Sequence, residues 1–175
     1  MAKTATLLGR TRRVLRHLLA DPREVPRTLG TGALERLTAR VQASESQHAG
    51  ELRLCIEAGL PLSYLRRGAT PRERAVMMFG KLRVWDTEAN TGVLIYLLLA
   101  DRAIEIVADR GLNPHVSPAQ WQAIVEAMAP ALKAGRFEDG LAVAIDRVGA
   151  LLQAHCPRID GRADHNELGD TPDLR

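Results

Sequence analysis

Aromatic residues are scarce in this chain, at 3 % of 175 positions. The core must therefore be aliphatic, and the stacking platforms that single-stranded nucleic acid needs are missing. The two cysteines, Cys55 and Cys156, are too few for a Cys-rich zinc centre. So far apart in sequence, they read more simply as two reduced thiols than as a disulfide. No stretch approaches the roughly 18 apolar residues of a membrane span; Val93 to Ala100 is only strand length. Arginine interrupts the apolar stretch at the N-terminus, so no secretory signal is expected and the protein reads as cytoplasmic. The phosphate-cradling loops G-x-x-x-x-G-K and G-x-G-x-x-G are also absent.

What is present is 46 % apolar residues, a globular proportion, in a length that suits one domain plus tails. The net charge of +3 is local in origin. Lys3, Arg10, Arg12, Arg13, Arg16, Arg23 and Arg27 face only Asp21 and Glu24 at the N-terminal end, and the remainder is slightly acidic. Residues 1–29 read as a basic amphipathic helix and linker. Leu7, Leu8, Val14, Leu15, Leu18 and Leu19 fall near one helical face, with arginines around the others. Such a helix suits either a membrane surface or a partner protein, with Arg10, Arg12, Arg13 and Arg16 as the contacts. Nucleic acid is a poor fit, because the arginines are few and no reading element accompanies them.

Residues 30–157 read as an α/β domain. Leu34, Leu37 and Val41 repeat at helical spacing. In "GELRLCIEA", Leu52, Leu54 and Ile56 alternate with Arg53, Cys55 and Glu57, which predicts a half-buried strand. Thr70, Pro71 and Glu73 form a capping-box signature that opens a helix running to about Val84. "GVLIYLLLA" reads as a central strand covered on both faces, and "AIEIVA" as its hairpin partner. Ser117 and Pro118 start another helix, which Pro130 should kink or end early. Leu141, Ala144, Ile145, Val148, Leu151 and Leu152 stripe a last helix that stops at Pro157. Residues 158–175 are polar and charged and read as a disordered tail. The fold class expected is α/β: a small mixed β-sheet flanked by helices on both faces, with the N-terminal amphipathic helix added. A helix joins the first two strands, which should be parallel, and the third should run antiparallel to the second.

Strand direction makes a geometric prediction. The first strand begins beside Glu51, the second follows the loop Asp86-x-Glu88-x-Asn90-x-Gly92, and the third ends at Asp109. All three points fall on one rim of the sheet, with Glu45 and His48 close by, while Asp101 and Arg102 fall on the opposite rim. Hard cations take six to eight oxygen ligands, and acids and amides at alternate positions can aim several at one point. The loop is not an EF-hand, since its glycine is one position late and no bidentate Glu follows. The plain alternative is a solvated loop whose acids cap neighbouring helices. Ser46, His48 and Asp109 are the residue types of a nucleophile, a base and its orienter, a weak signal in any chain of this length.

From about Leu34 to Pro157 the chain resembles a TPM domain. That family is named for a thylakoid lumen acid phosphatase, a photosystem II repair protein and a modulator of nicotinic receptors. The resemblance lies in "ASESQHAGELRLCIE", in "RERAVMMFGKLRVWDTEANTGVLIYLLLADRAIEIVADRGL" and in "MAPALKAGRFEDGL". It implies a small mixed sheet between helices, and three functional associations: weak acid phosphatase activity, calcium binding, and help in assembling or turning over membrane protein complexes. Carried onto this chain, the implied ligands are Asp86, Glu88 and Asn90, supported by Asp109 and Glu51. Where the family has G-Y-G-L-E this chain has "ADRGLN", so Asn113 stands in place of a carboxylate. The expectation is an accessory domain that binds a divalent cation, calcium foremost, and acts in membrane-associated complexes, peripheral to the inner face of the membrane. A weak metal-assisted acid phosphatase is the alternative.

Overall fold

A computed structural model describes residues 7–158 and 167–175. The elements in chain order are α1 (Leu7–Leu18), α2 (Val25–Leu29), α3 (Ala33–Glu45), β1 (Leu52–Glu57), α4 (Leu62–Arg66), α5 (Pro71–Lys81), β2 (Val93–Leu98), β3 (Ala103–Ala108), α6 (Pro118–Lys133), α7 (Phe137–His155) and β4 (Asp173–Leu174). Single 3₁₀ turns at Pro22–Glu24 and Arg110–Leu112 add to these.

The sheet has the order β3-β2-β1-β4. β1 and β2 are parallel, with Leu52 opposite Val93 and Glu57 opposite Leu98. β2 and β3 are antiparallel, with Val93 opposite Ala108. The mixed α/β class and the strand directions agree with the sequence reading.

Side chains alternate across the sheet and build a core on each face. Leu52, Leu54 and Ile56 of β1 and Val93, Ile95 and Leu97 of β2 pack under α3, α6 and α7 with Leu37, Val41, Met128, Leu141 and Ile145. Cys55, Leu94, Tyr96 and Leu98 point the other way, into a smaller core with Leu60, Leu65, Ala75 and Met78. Helices α4 and α5 supply most of that second cover. β1 is therefore buried on both faces, where alternation alone predicted a half-buried strand. Its polar positions are reconciled by pairing. Glu57 accepts hydrogen bonds from both the Nε and NH2 groups of Arg74, and from Tyr96 Oη at 2.6 Å. A buried carboxylate without such partners would be costly.

The capping signatures hold. Thr70 with Glu73 and Ser117 with Gln120 each form a full capping box. Pro130 does not end its helix, because α6 runs on to Lys133. What stops it is the left-handed Gly135, at φ +75°. There Arg136 N–H reaches Ala131 O and Gly135 N–H reaches Leu132 O, the Schellman pattern. A second difference lies in the tail. Residues 173–174 are a strand alongside β1, with Cys55 opposite Asp173. Ala58 N–H donates to Arg175 O at 2.8 Å and Arg175 N–H to Ile56 O at 3.0 Å. Leu168 is buried in the smaller core. Residues 159–166 of that expected disordered tail lie outside the described residues.

Both thiols are free. Burial pushes Cys55 up to about 12, so it behaves as an inert core residue.

Candidate functional site

The predicted rim exists. Val93 N–H donates to Glu51 O, and Asp109 N–H to Gly92 O at 2.9 Å. The loop before β2 and the turn after β3 are tied directly: Gly111 N–H meets Asn90 O at 3.0 Å, and Arg110 Nε donates to Asn90 Oδ1 at 3.2 Å. Asn90 holds a left-handed conformation at φ +55°, which Asn tolerates better than most residues. Two glycines make the approach feasible. A Cβ on Gly111 would lie 2.5 Å from Asn90 O and 2.7 Å from Ala89 O, and one on Gly92 would overlap the carbonyl of Val84.

Asp109 is the unusual group here. Its Oδ1 accepts the Arg110 N–H at 2.7 Å and caps the 3₁₀ turn. Its Oδ2 is buried and has no hydrogen-bond partner among the described residues. A buried carboxylate oxygen left unmatched costs about 1–3 kcal/mol or more.

The other predicted ligands go elsewhere on the rim. Glu51 Oε1 and Oε2 accept the N–H groups of Glu167 and Leu168 at 3.2 and 3.3 Å. The N–H of Glu88 donates to the carboxylate of Glu167, at 3.0 and 3.1 Å. Asp86 lines a small hollow with Arg53, Arg83 and the segment Glu167–Gly169. The five residues Glu51, Asp86, Glu88, Asn90 and Asp109 thus share a rim, with Asn90 and Asp109 at the β2–β3 end and the rest gathered around the returning C-terminal segment. Among the described residues no three His, Cys, Asp or Glu side chains come together as a metal-holding group. Of the five, Asp109 alone carries a buried carboxylate oxygen that is without a hydrogen-bond partner among the described residues.

The structure adds residues that sequence reasoning passed over. Glu167 and Asp170 bring two more acids to the rim, because the tail folds back. Glu45 accepts the Leu52 N–H at 2.8 Å. Burial pushes its carboxyl up to about 8, and the charges of Glu51 and Asp170 add to the rise against the pull of that N–H. His48 bonds Ser44 Oγ through Nε2 at 3.1 Å, and its Nδ1 lies 2.8 Å from Gly50 O. Ser44 therefore takes the place expected for Ser46, and the Gly50 carbonyl takes the orienting role expected for Asp109. Ser44 Oγ is also wedged against Gly149 of α7, where a Cβ would overlap it.

At the opposite rim, Asp101 in the β2–β3 turn collects α1. Arg13 donates through Nε and NH2 to Oδ2 at 3.1 and 2.9 Å, and Arg16 NH2 donates to Oδ1 at 3.0 Å. His17, with a fully buried side chain, sits between Asp101 Oδ1 at 3.0 Å and the Leu60 N–H at 2.9 Å. Because Nδ1 accepts from Leu60, the proton of the neutral ring is on Nε2, and it points at Asp101. Burial holds the His17 pKa below its usual value, against the opposing pull of Asp101. Of the four arginines expected to make an external contact, Arg13 and Arg16 are engaged by Asp101, and Arg10 and Arg12 are exposed.

Comparison with known proteins places this architecture. No curated protein matches the chain. The solved BA42 protein of the psychrophilic bacterium Bizionia argentinensis is similar at 26 % identity, with a TM-score of 0.71 over 83 % of this chain and 94 % of that one. The N-terminal domain of a P. gingivalis protein shares the fold at 20 % identity, with a TM-score of 0.59 over 75 % of this chain and 83 % of that one. The family model of the TPM domain matches residues 27–151, which run from within α2 into α7 and include the three long strands, so the chain belongs to the TPM domain family.

Proposed function

We propose that this protein is a TPM-type accessory domain that binds a divalent cation, calcium foremost, at the Asp109 end of its rim and serves in the assembly or maintenance of membrane-associated complexes. The observation that supports the cation is Asp109 Oδ2, a buried carboxylate oxygen with no partner among the described residues. Asp109 would hold the ion through Oδ2, and a hard cation would match the carboxylate oxygen that no hydrogen bond reaches, while Asn90 Oδ1 stays with Arg110. With a single protein carboxylate, affinity belongs at the weak end for calcium, about 10⁻⁴–10⁻³ M.

An accessory role is favoured over catalysis by the surroundings of the Ser44–His48 contact. Ser44 Oγ is packed against Gly149 of α7 and bonds a buried His48, so this pair reads as a structural contact between α3 and α7. Calorimetric titration of calcium into wild type and Asp109→Asn tests the site. Wild type should give saturable heats that the substitution removes, whereas heats absent from both, or equal in both, would end the cation reading. In chelator, Asp109→Asn should be at least as stable as wild type, since it keeps the Oδ1 cap and discards an unmatched charge. Hydrolysis of a generic phosphomonoester that is abolished by Asp86→Ala and Asp109→Ala together would replace the accessory reading with a metal-assisted phosphatase.

A further inference from the structure

Helix α1 is docked the wrong way round for a packing helix. Its polar stripe faces the domain: Arg13 and His17 bond Asp101, Arg13 NH2 also donates to Ala69 O at 2.9 Å, and His17 takes the Leu60 N–H. Among the described side chains, Val14 and Ala20 are apolar residues that pack alongside. The seat is close, since a Cβ on Gly59 would lie 2.8 Å from His17 O and 3.0 Å from Ala20 Cβ. Leu15, Leu18 and Leu19 are left 58 %, 59 % and 74 % exposed. At helical spacing the three share one side, and Arg12 and Arg16 border it one turn away. Monomeric proteins seldom leave leucines grouped in this way without a use for them.

The neighbouring charge selects the occupant. The exposed residues around the patch include Arg10, Arg12 and Arg23, with Arg16 shared with Asp101, against Asp21 and Glu24. An apolar stripe bordered by arginines matches a surface that is apolar below and anionic above, which is the interface of a bilayer containing acidic lipids. We infer that Leu15, Leu18 and Leu19, bordered by Arg12 and Arg16, seat the protein on an anionic lipid bilayer while the Asp101 clamp keeps α1 on the domain. This docking is independent of the cation rim.

Co-sedimentation of the full chain with vesicles, in chelator so that the rim plays no part, tests it. Vesicles of phosphatidylcholine alone are compared with vesicles that also contain phosphatidylglycerol. Wild type should pellet with the anionic vesicles and hardly with the neutral ones, and added salt should weaken it. The double substitution Leu15→Glu, Leu19→Glu should lower partitioning about tenfold or more, and Arg12→Glu by about fivefold or more. Both changes fall on exposed side chains, so thermal melting monitored by circular dichroism should be unchanged. Failure of wild type to pellet would overturn the assignment, as would equal pelleting of wild type and both variants. A dimer in sedimentation velocity that Leu15→Glu, Leu19→Glu dissolves, with no vesicle binding, would also overturn it by naming a second copy as the cover.

Discussion

Glu45 shows how one carboxyl can give the domain a pH response. Its pKa in the folded chain is raised to about 8 from an ordinary value of 4.5. The folded state therefore binds this proton more tightly than the unfolded state does. Its contribution to stability is fully present below about pH 4.5 and is lost as the pH rises through about 8. We expect the melting temperature to fall between about pH 5 and pH 9 by a component that Glu45→Gln abolishes. At the alkaline end the variant should melt above wild type, because a neutral amide no longer has to be ionised beside Glu51 and Asp170. Parallel melting curves for the two proteins across that range would contradict this account. The acid itself is visible in the sequence, at the end of a helical stripe. Its company is not, because Asp170 lies far along the chain in a segment whose composition suggested disorder.

At the scale of elements, the sequence was most readable where spacing and local chemistry agree. The capping boxes at Thr70 and Ser117, the buried run of β2 and the hairpin to β3 all follow from short-range signals. Reading failed where a distant partner decides. Cys55 and Glu57 alternate like an exposed face, yet α4 and α5 cover them, and Arg74 neutralises the charge. Pro130 looks like a helix breaker, but α6 continues because packing against α7 and β3 outweighs one lost hydrogen bond. The seat of α1 was equally hidden. Asp101 reads as an ordinary turn acid until Arg13, Arg16 and His17 converge on it. Asp101→Ala should release α1 while leaving the sheet intact. Trypsin should then cut at Arg13 or Arg16 about tenfold faster, since local opening sets that rate. Lowering the pH should favour the same release. His17 has a depressed pKa, so its contribution is present above about 6.5 and is lost as the pH falls through its folded value. A protonated ring cannot accept the Leu60 N–H, even though Asp101 welcomes the charge and Arg13 and Arg16 oppose it. Identical digestion of wild type and Asp101→Ala would show that other contacts hold the helix.

For the whole molecule, the C-terminal return determines which edge of the sheet is open. β4 covers the outer side of β1, and the segment before it supplies N–H groups to Glu51 and a leucine to the smaller core. A chain ending at Arg158 should lose about 2–3 kcal/mol of stability, mainly through Leu168 and the strand contacts. It should also associate through the exposed edge of β1. Denaturant unfolding and sedimentation velocity check both, and an unchanged midpoint with a monomeric boundary would assign the return no structural part. The rim was legible from strand direction alone, since two starts and one finish had to share it. How its acids are distributed was not, because the returning segment draws Glu51 and Glu88 to itself and leaves Asp109 apart.

The two surfaces proposed above sit at opposite ends of the strands. Asp101 and α1 lie where β1 and β2 finish, and Asp109 lies where they begin. Six strand residues at about 3.3 Å each separate them by roughly 20 Å. A molecule lying on its leucines would therefore hold its acids outward like a raised hand, clear of the headgroup layer and turned toward whatever approaches from the aqueous side.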